Sequence, residues 1–68
     1  MSAEKLVRRV ERMQPGDTIE WPVPMRDKER RRDEYLAVNS AAARVIGKGG
    51  YTIRMPRKAS ACILTRTA

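Results

Sequence analysis

The sequence contains no histidine and only one cysteine, and these shortages exclude most site chemistry. Cys62 cannot form a disulfide within the chain, and without histidine it makes neither a good zinc site nor a Cys–His nucleophile pair. All eight carboxylates lie between residues 4 and 34, mostly interleaved with arginines, and no pair is spaced for acid–base work. Lys48 is followed by Gly49, unlike the lysine of a Walker A loop. We therefore expect no enzyme activity, no metal site and no cofactor.

Long apolar runs and aromatic residues are also scarce. Residues 6–13 are interrupted by charges, which argues against a signal peptide, and no stretch approaches the roughly 20 apolar residues of a membrane span. These features predict a cytoplasmic protein without membrane contact. The aromatic residues are Trp21, Tyr35 and Tyr51, so a single domain over residues 1–68 must have a thin, aliphatic core. We expect Trp21 and Tyr51 in that core, and homodimerisation is one way to bury more surface.

Acidic residues are absent from the second half of the chain. The net charge is +7; residues 1–34 hold nine basic and eight acidic residues, whereas residues 35–68 hold six basic residues and no acidic one. Charge of one sign in one region favours a polyanion, so DNA or RNA is the leading candidate partner. The six basic residues of this half are Arg44, Lys48, Arg54, Arg57, Lys58 and Arg66.

Hydrophobic periodicity in the first half predicts a short helix and a strand. Apolar residues share one helical face over residues 3–13, at Leu6, Val7, Val10 and Met13. A Pro-Gly-Asp turn at residues 15–17 follows. Residues 18–23 alternate between apolar and polar types, and Pro22 places this strand at a sheet edge or a strand end.

The second half predicts a long helix and a β-hairpin. An apolar stripe predicts a helix over residues 27–46 that ends at Gly47. The side chains of this stripe are small at the alanines of residues 41–43, so another element can approach the helix closely there. Residues 51–55 and 60–67 predict two strands with a basic tip between them. The predicted fold is α+β in the order α-β-α-β-β: a three-stranded antiparallel sheet covered by one long helix, plus a short N-terminal helix.

The string Val-Ile-Gly-Lys-Gly-Gly at residues 45–50 resembles the I-G-x-x-G loop of KH RNA-binding domains, which binds a nucleic-acid backbone. A KH loop continues into a helix. Pro56 and the alternation of residues 51–55 predict a strand there instead. We therefore interpret Gly47 as a helix end and the resemblance as coincidental.

A broader resemblance covers residues 14–67. Four motifs carry it: Pro-Gly-Asp-Thr at 15–18, Asn-Ser-Ala-Ala-Ala-Arg at 39–44, Tyr-Thr-Ile-Arg at 51–54 and Ile-Leu-Thr-Arg at 63–66. This order is similar to that of a group of small, basic phage and prophage proteins of unknown function. The resemblance implies a phage or mobile-element origin and the cytoplasm of a bacterial host, but it implies no mechanism.

The densest basic run has acidic neighbours on both sides. Residues 30–32 are three arginines, and the carboxylates between residues 27 and 34 offer partners at i,i+3 and i,i+4, which is typical of a solvated face. Cations near a helix N-terminus are unfavourable, however, which keeps a binding role open. This possible secondary patch comprises Lys28, Arg30, Arg31 and Arg32.

The predicted primary binding surface is the hairpin together with the helix end and loop before it, and it comprises Arg44, Lys48, Arg54, Arg57, Lys58 and Arg66. Arg54 and Arg66 are expected on the outer face of the hairpin, with Arg57 and Lys58 at its tip, where a basic ribbon fits a DNA groove. The leading hypothesis is a nucleic-acid-binding regulatory protein. The alternative is a host-directed inhibitor that binds a bacterial enzyme or defence complex by protein–protein contact. A dimeric assembly factor is the third hypothesis.

Overall fold

The computed structural model describes residues 2–56 and 58–68. Two helices and three strands follow in the predicted order: α1 (Ser2–Glu11), β1 (Thr18–Pro22), α2 (Lys28–Val45), β2 (Tyr51–Arg54) and β3 (Ala61–Arg66). The α+β class and the three-stranded antiparallel sheet are confirmed. Within the described part of the chain, neither helix is long and apolar enough to cross a membrane.

The strands lie in the order β1-β3-β2, so the last strand of the chain is the central one. β3 pairs antiparallel with both neighbours, which places Ile19, Leu64 and Ile53 in one row across the sheet. Side chains in such a row share a face, and this inner face contributes to the core. Pro22 ends an edge strand, as predicted, where a missing N–H costs least.

Helix α2 begins and ends at residues suited to capping. The Asp27 carboxylate accepts a hydrogen bond from the Arg30 backbone N–H at 3.1 Å, which satisfies a donor without a partner inside the helix. At the other end, the N–H groups of Ile46 and Gly47 both donate to the Ala42 carbonyl, at 2.8 and 3.2 Å. Gly47 has a φ of +99°, which residues with a Cβ rarely adopt, so the helix ends there.

The core takes one stripe of side chains from each helix and fills the inner face of the sheet. Helix α1 packs against α2. Ala41 is buried, and its small side chain fits the close approach expected at the alanines of α2. Burial of a large aliphatic side chain contributes roughly 1.5–3 kcal/mol, so a core this short leaves little stability in reserve. The buried apolar residues are Leu6, Val10, Met13, Trp21, Val23, Val38, Ala41, Ala42, Cys62 and Leu64.

Candidate nucleic-acid interface

Arg31 lies in the first turns of α2 and is buried beneath the connection between β2 and β3, with 8 % of its surface exposed. Its Nη1 donates to the carbonyl oxygens of Pro24 at 3.1 Å and Ala59 at 2.7 Å, and its Nη2 donates to that of Pro56 at 2.9 Å. A buried guanidinium needs such acceptors because it stays charged. We call this arrangement the Arg31 clamp. The prediction that Arg31 belongs to an exposed basic patch is therefore corrected, since the side chain is buried and three of its five N–H groups already donate to carbonyl groups of the chain.

The clamp brings two basic segments to one end of the molecule. Lys28 and Arg32 are exposed, one helical turn apart on α2, and line a groove together with Tyr35 and with Met55 of the hairpin connection. Lys58 is exposed on the same connection, between the two hairpin carbonyls that the clamp holds. We refer to Lys28, Arg32 and Lys58 as the basic end: Lys28 and Arg32 line the groove with Met55, and Lys58 lies on the connection that Arg31 holds. It joins part of the predicted secondary patch to part of the predicted hairpin surface.

An apolar side chain is exposed beside these cations. Met25 is 57 % exposed and borders a second hollow with Lys28 and Met55. Arg30 is exposed as well, but it is not among the residues that line either hollow. The predicted secondary patch thus divides by exposure: Arg31 is buried in the clamp and forms part of the lining of both hollows, Lys28 and Arg32 are exposed groove residues, and Arg30 is exposed outside them.

The predicted primary surface is dispersed over the described residues. Arg54 is exposed on the outer face of the sheet, and Lys48 is exposed beyond the other end of β2. The strand between them is roughly 10 Å long. Arg44 lies in the last turn of α2 and lines a groove against α1 that also contains Glu4 and Glu11. These three cations therefore lie on three different elements: the outer face of β2, the loop before it and the groove between the helices.

Arg66 lies on the inner side of the sheet rather than on the outer face. Its Nη1 donates to the Met13 carbonyl and its Nε to the Ala68 carbonyl, each at 2.7 Å. Alternation explains this orientation, because Leu64, two residues earlier on the same strand, is buried. The expectation that Arg66 projects outward is corrected, because its side chain links β3 to the segment that follows α1. Arg57, also predicted for the binding surface, lies outside the described residues.

Both aromatic residues expected in the core have their polar groups bound to α2. Trp21 is buried, and its indole N–H donates to Glu34 Oε2 at 2.6 Å, while the Arg9 guanidinium lies 5.9 Å from the ring centre. Tyr51 is half-buried and donates its O–H to Asn39 Oδ1 at 2.8 Å. The core interpretation is confirmed for Trp21. Burial leaves little of the Trp21 ring free to stack on a base.

The glycine loop at residues 47–50 leads into a strand. Gly47 and Gly49 have φ values of +99° and +87°. Gly50 is buried, and a Cβ there would lie 2.7 Å from Ile46 Cγ2. β2 begins directly afterwards at Tyr51, where a KH loop would continue into a helix. The glycines therefore serve a tight helix-to-strand connection.

Cys62 lies fully buried in the central strand. Burial raises the pKa of its thiol, and because the thiolate is the reactive form, this cysteine is protected from reaction at neutral pH. Among residues 2–56 and 58–68, no group of three or more cysteines and carboxylates is placed to hold a metal ion.

Comparison with protein-family models, with curated proteins and with solved structures finds no match for this chain. The function is therefore inferred from the residues of this chain. The basic end is the candidate site because it combines exposed cations with a groove.

Proposed function

We propose that this protein binds nucleic acid through the basic end, with Lys28, Arg32 and Lys58 contacting phosphates. The observation that carries the proposal is the Arg31 clamp, which holds exposed cations from two distant segments at one end of the molecule. Cations that are positioned before binding lose less entropy when a polyanion arrives. Phosphate contacts of this kind supply affinity without base specificity.

The groove beside the cations is suited to the base of a nucleotide. Met55 and Tyr35 are half-buried and line the groove next to Lys28 and Arg32. An unpaired base offers an apolar face to such side chains while its phosphates meet the cations. The proposal keeps the hairpin connection of the sequence-based hypothesis and replaces the loop at Lys48 with the first turns of α2. The proposed mobile-element origin rests on the resemblance over residues 14–67.

A fluorescence-anisotropy titration tests this proposal. A labelled duplex of about 20 base pairs and a single-stranded RNA of equal length are titrated at several salt concentrations between about 50 and 200 mM. For duplex DNA, log affinity should fall with log salt by roughly 0.9 for each phosphate contact. The triple variant K28A/R32A/K58A should lower that slope by roughly 2.7, which corresponds to roughly 500-fold weaker binding near 0.1 M salt.

The matched control removes three exposed cations from α1 and the turn that follows it in the variant K5A/R8A/R12A. Its net charge equals that of the test variant, so a non-specific charge effect would lower the slope equally in both. Equal losses in the two variants, or no binding to either nucleic acid at about 50 mM salt, would rule out the basic end as the binding surface.

A second candidate function is protein binding, as in a host-directed inhibitor of a bacterial enzyme or defence complex. The exposure of Met25 beside Met55 and Lys28 favours it, because methionine adapts to varied partner surfaces. Pull-down from a bacterial lysate with and without nuclease separates the two functions. If one protein stays bound in stoichiometric amount after nuclease treatment, and the variant M25S no longer retains it, the inhibitor function is supported. If every partner is lost after nuclease treatment, nucleic-acid binding is supported.

A further inference from the structure

The outer face of the sheet is open. Every second residue of each strand lies on this outer face, and the outer-face residues of β1 and β2 are exposed. The Thr18 and Thr65 hydroxyls lie 3.1 Å apart on this face. An open face over a core this thin is a candidate interface. It comprises Thr18, Glu20 and Pro22 from β1, Thr52 and Arg54 from β2, and Ala61, Ile63 and Thr65 from β3.

One row across this face carries an acid, an apolar residue and a base. Glu20 on β1 pairs with Ile63 on β3, and Ile63 pairs with Arg54 on β2. The acid is therefore at one edge of the sheet, the base at the other, and a β-branched residue lies at the centre. Such a row is complementary to its own copy when the copy is turned over.

Two-fold symmetry decides which way the copy is turned. A two-fold axis parallel to β3 lays β1 of one copy over β2 of the other, so Glu20 faces Arg54 twice and Ile63 faces Ile63. An axis across the strands would instead place Glu20 over Glu20 and Arg54 over Arg54, which is repulsive. The charges on the face thus select one of the two arrangements.

We propose that the outer face is a homodimer interface, with Glu20 of each copy paired to Arg54 of the other around a central Ile63–Ile63 contact. Two sheets stacked in this way are about 10 Å apart and keep their strands within about 30° of each other. Three strands span only about 14 Å, so the interface lies at the small end of the known range and the dimer should depend on concentration.

This arrangement also has a consequence for the proposed nucleic-acid binding. An axis parallel to β3 leaves both hairpin connections at the same end of the dimer. The two basic ends then lie side by side, which doubles the positive charge offered to one polyanion. This consequence rests on the proposed function, whereas the dimer itself does not.

Sedimentation velocity across a concentration series up to about 1 mM, without nucleic acid, tests the interface. The wild type should show a dimer at the upper end of the series. The single variants E20R and R54E each give the face charge of one sign, which should raise the dimer dissociation constant roughly 10- to 100-fold. Circular dichroism confirms that each variant is folded.

Mixing the two variants is the decisive step. In a mixed dimer, the arginine introduced by E20R faces the glutamate introduced by R54E, and the unchanged Arg54 of the first chain faces the unchanged Glu20 of the second. The 1:1 mixture should therefore recover wild-type association. The controls E11R and K48E reverse charge at exposed positions off this face and should leave the dimer unchanged. A monomeric wild type at about 1 mM, variants that dimerise as the wild type does, or a mixture that stays monomeric would each overturn the proposal.

Discussion

Arg31 and Arg32 are consecutive residues of α2 that both line the groove but belong to two different regions, the buried clamp and the exposed rim. Arg31 is buried in the clamp, where three carbonyl groups from two connections surround it. Arg32 is exposed on the rim of the groove, with Lys28 one turn away. The clamp region holds the fold together, whereas the rim is free to meet a partner.

The difference between the two regions shows how a small protein compensates for a thin core. The hairpin connection is fixed by donors on a guanidinium, and the packed apolar side chains lie elsewhere, between the helices and the inner face of the sheet. Arginine suits this role because its planar fork reaches several carbonyls and stays charged. Net charge alone does not distinguish an arginine that stabilises the fold from one that binds.

The largest expected effect is on Arg31. R31M introduces an apolar side chain of similar length and removes the guanidinium N–H donors. The carbonyls of Pro24, Pro56 and Ala59 then lose their hydrogen-bond partner. We expect the free energy of unfolding, measured by urea denaturation, to fall by about 3 kcal/mol. The control R32M should change it by less than about 0.5 kcal/mol. Equal effects of the two substitutions would mean that the clamp and the rim contribute equally to stability, which contradicts the comparison.

A smaller effect is expected for Arg66, the second arginine with an inward role. R66A removes the hydrogen bonds to Met13 and Ala68 at a half-buried position and should lower the free energy of unfolding by about 2 kcal/mol. The salt slope of DNA binding should stay unchanged, because this side chain is not in the basic end. A reduced slope at full stability would instead place Arg66 among the binding residues.

The smallest expected effect is a pH dependence that originates at Cys62. Burial raises the pKa of this thiol above its ordinary value of 9.0, so the folded state keeps the proton that the unfolded state loses. Stability from this group is present below the unfolded-state pKa and is lost as pH rises above it, by at most about 1.4 kcal/mol per pH unit. C62A should remove this alkaline decrease in urea denaturation at pH 8 to 10; persistence of the decrease would assign it to another group.

Much of the fold could be predicted because its signals are local. Alternation in residues 18–23, the stripe along α2 and the termination at Gly47 each depend on neighbours in sequence. The strand order could not be predicted in the same way. β1 pairs with β3 across about 40 residues of intervening chain, and no turn residue specifies that pairing.

The candidate site was predicted less well, since charge in a sequence does not report direction. Arg31 continues the stripe of Tyr35 and Val38 by one turn, which is the signal that it faces inward. Arg66 continues the buried alternation of Cys62 and Leu64 in the same way. The joining of Lys58 to the start of α2 depends on a clamp between residues 28 apart, which no local pattern reveals.

The most direct test of the central claim is an NMR titration of isotope-labelled protein with a short DNA duplex, observing both backbone amides and arginine side-chain Nε–H groups. We predict that the Arg32 side chain and the amide of Lys58 shift with DNA, and that the Arg31 side chain stays protected from solvent exchange and nearly unmoved. Shifts concentrated on α1, or an Arg31 side chain that exchanges freely and responds as Arg32 does, would contradict the division between clamp and binding rim.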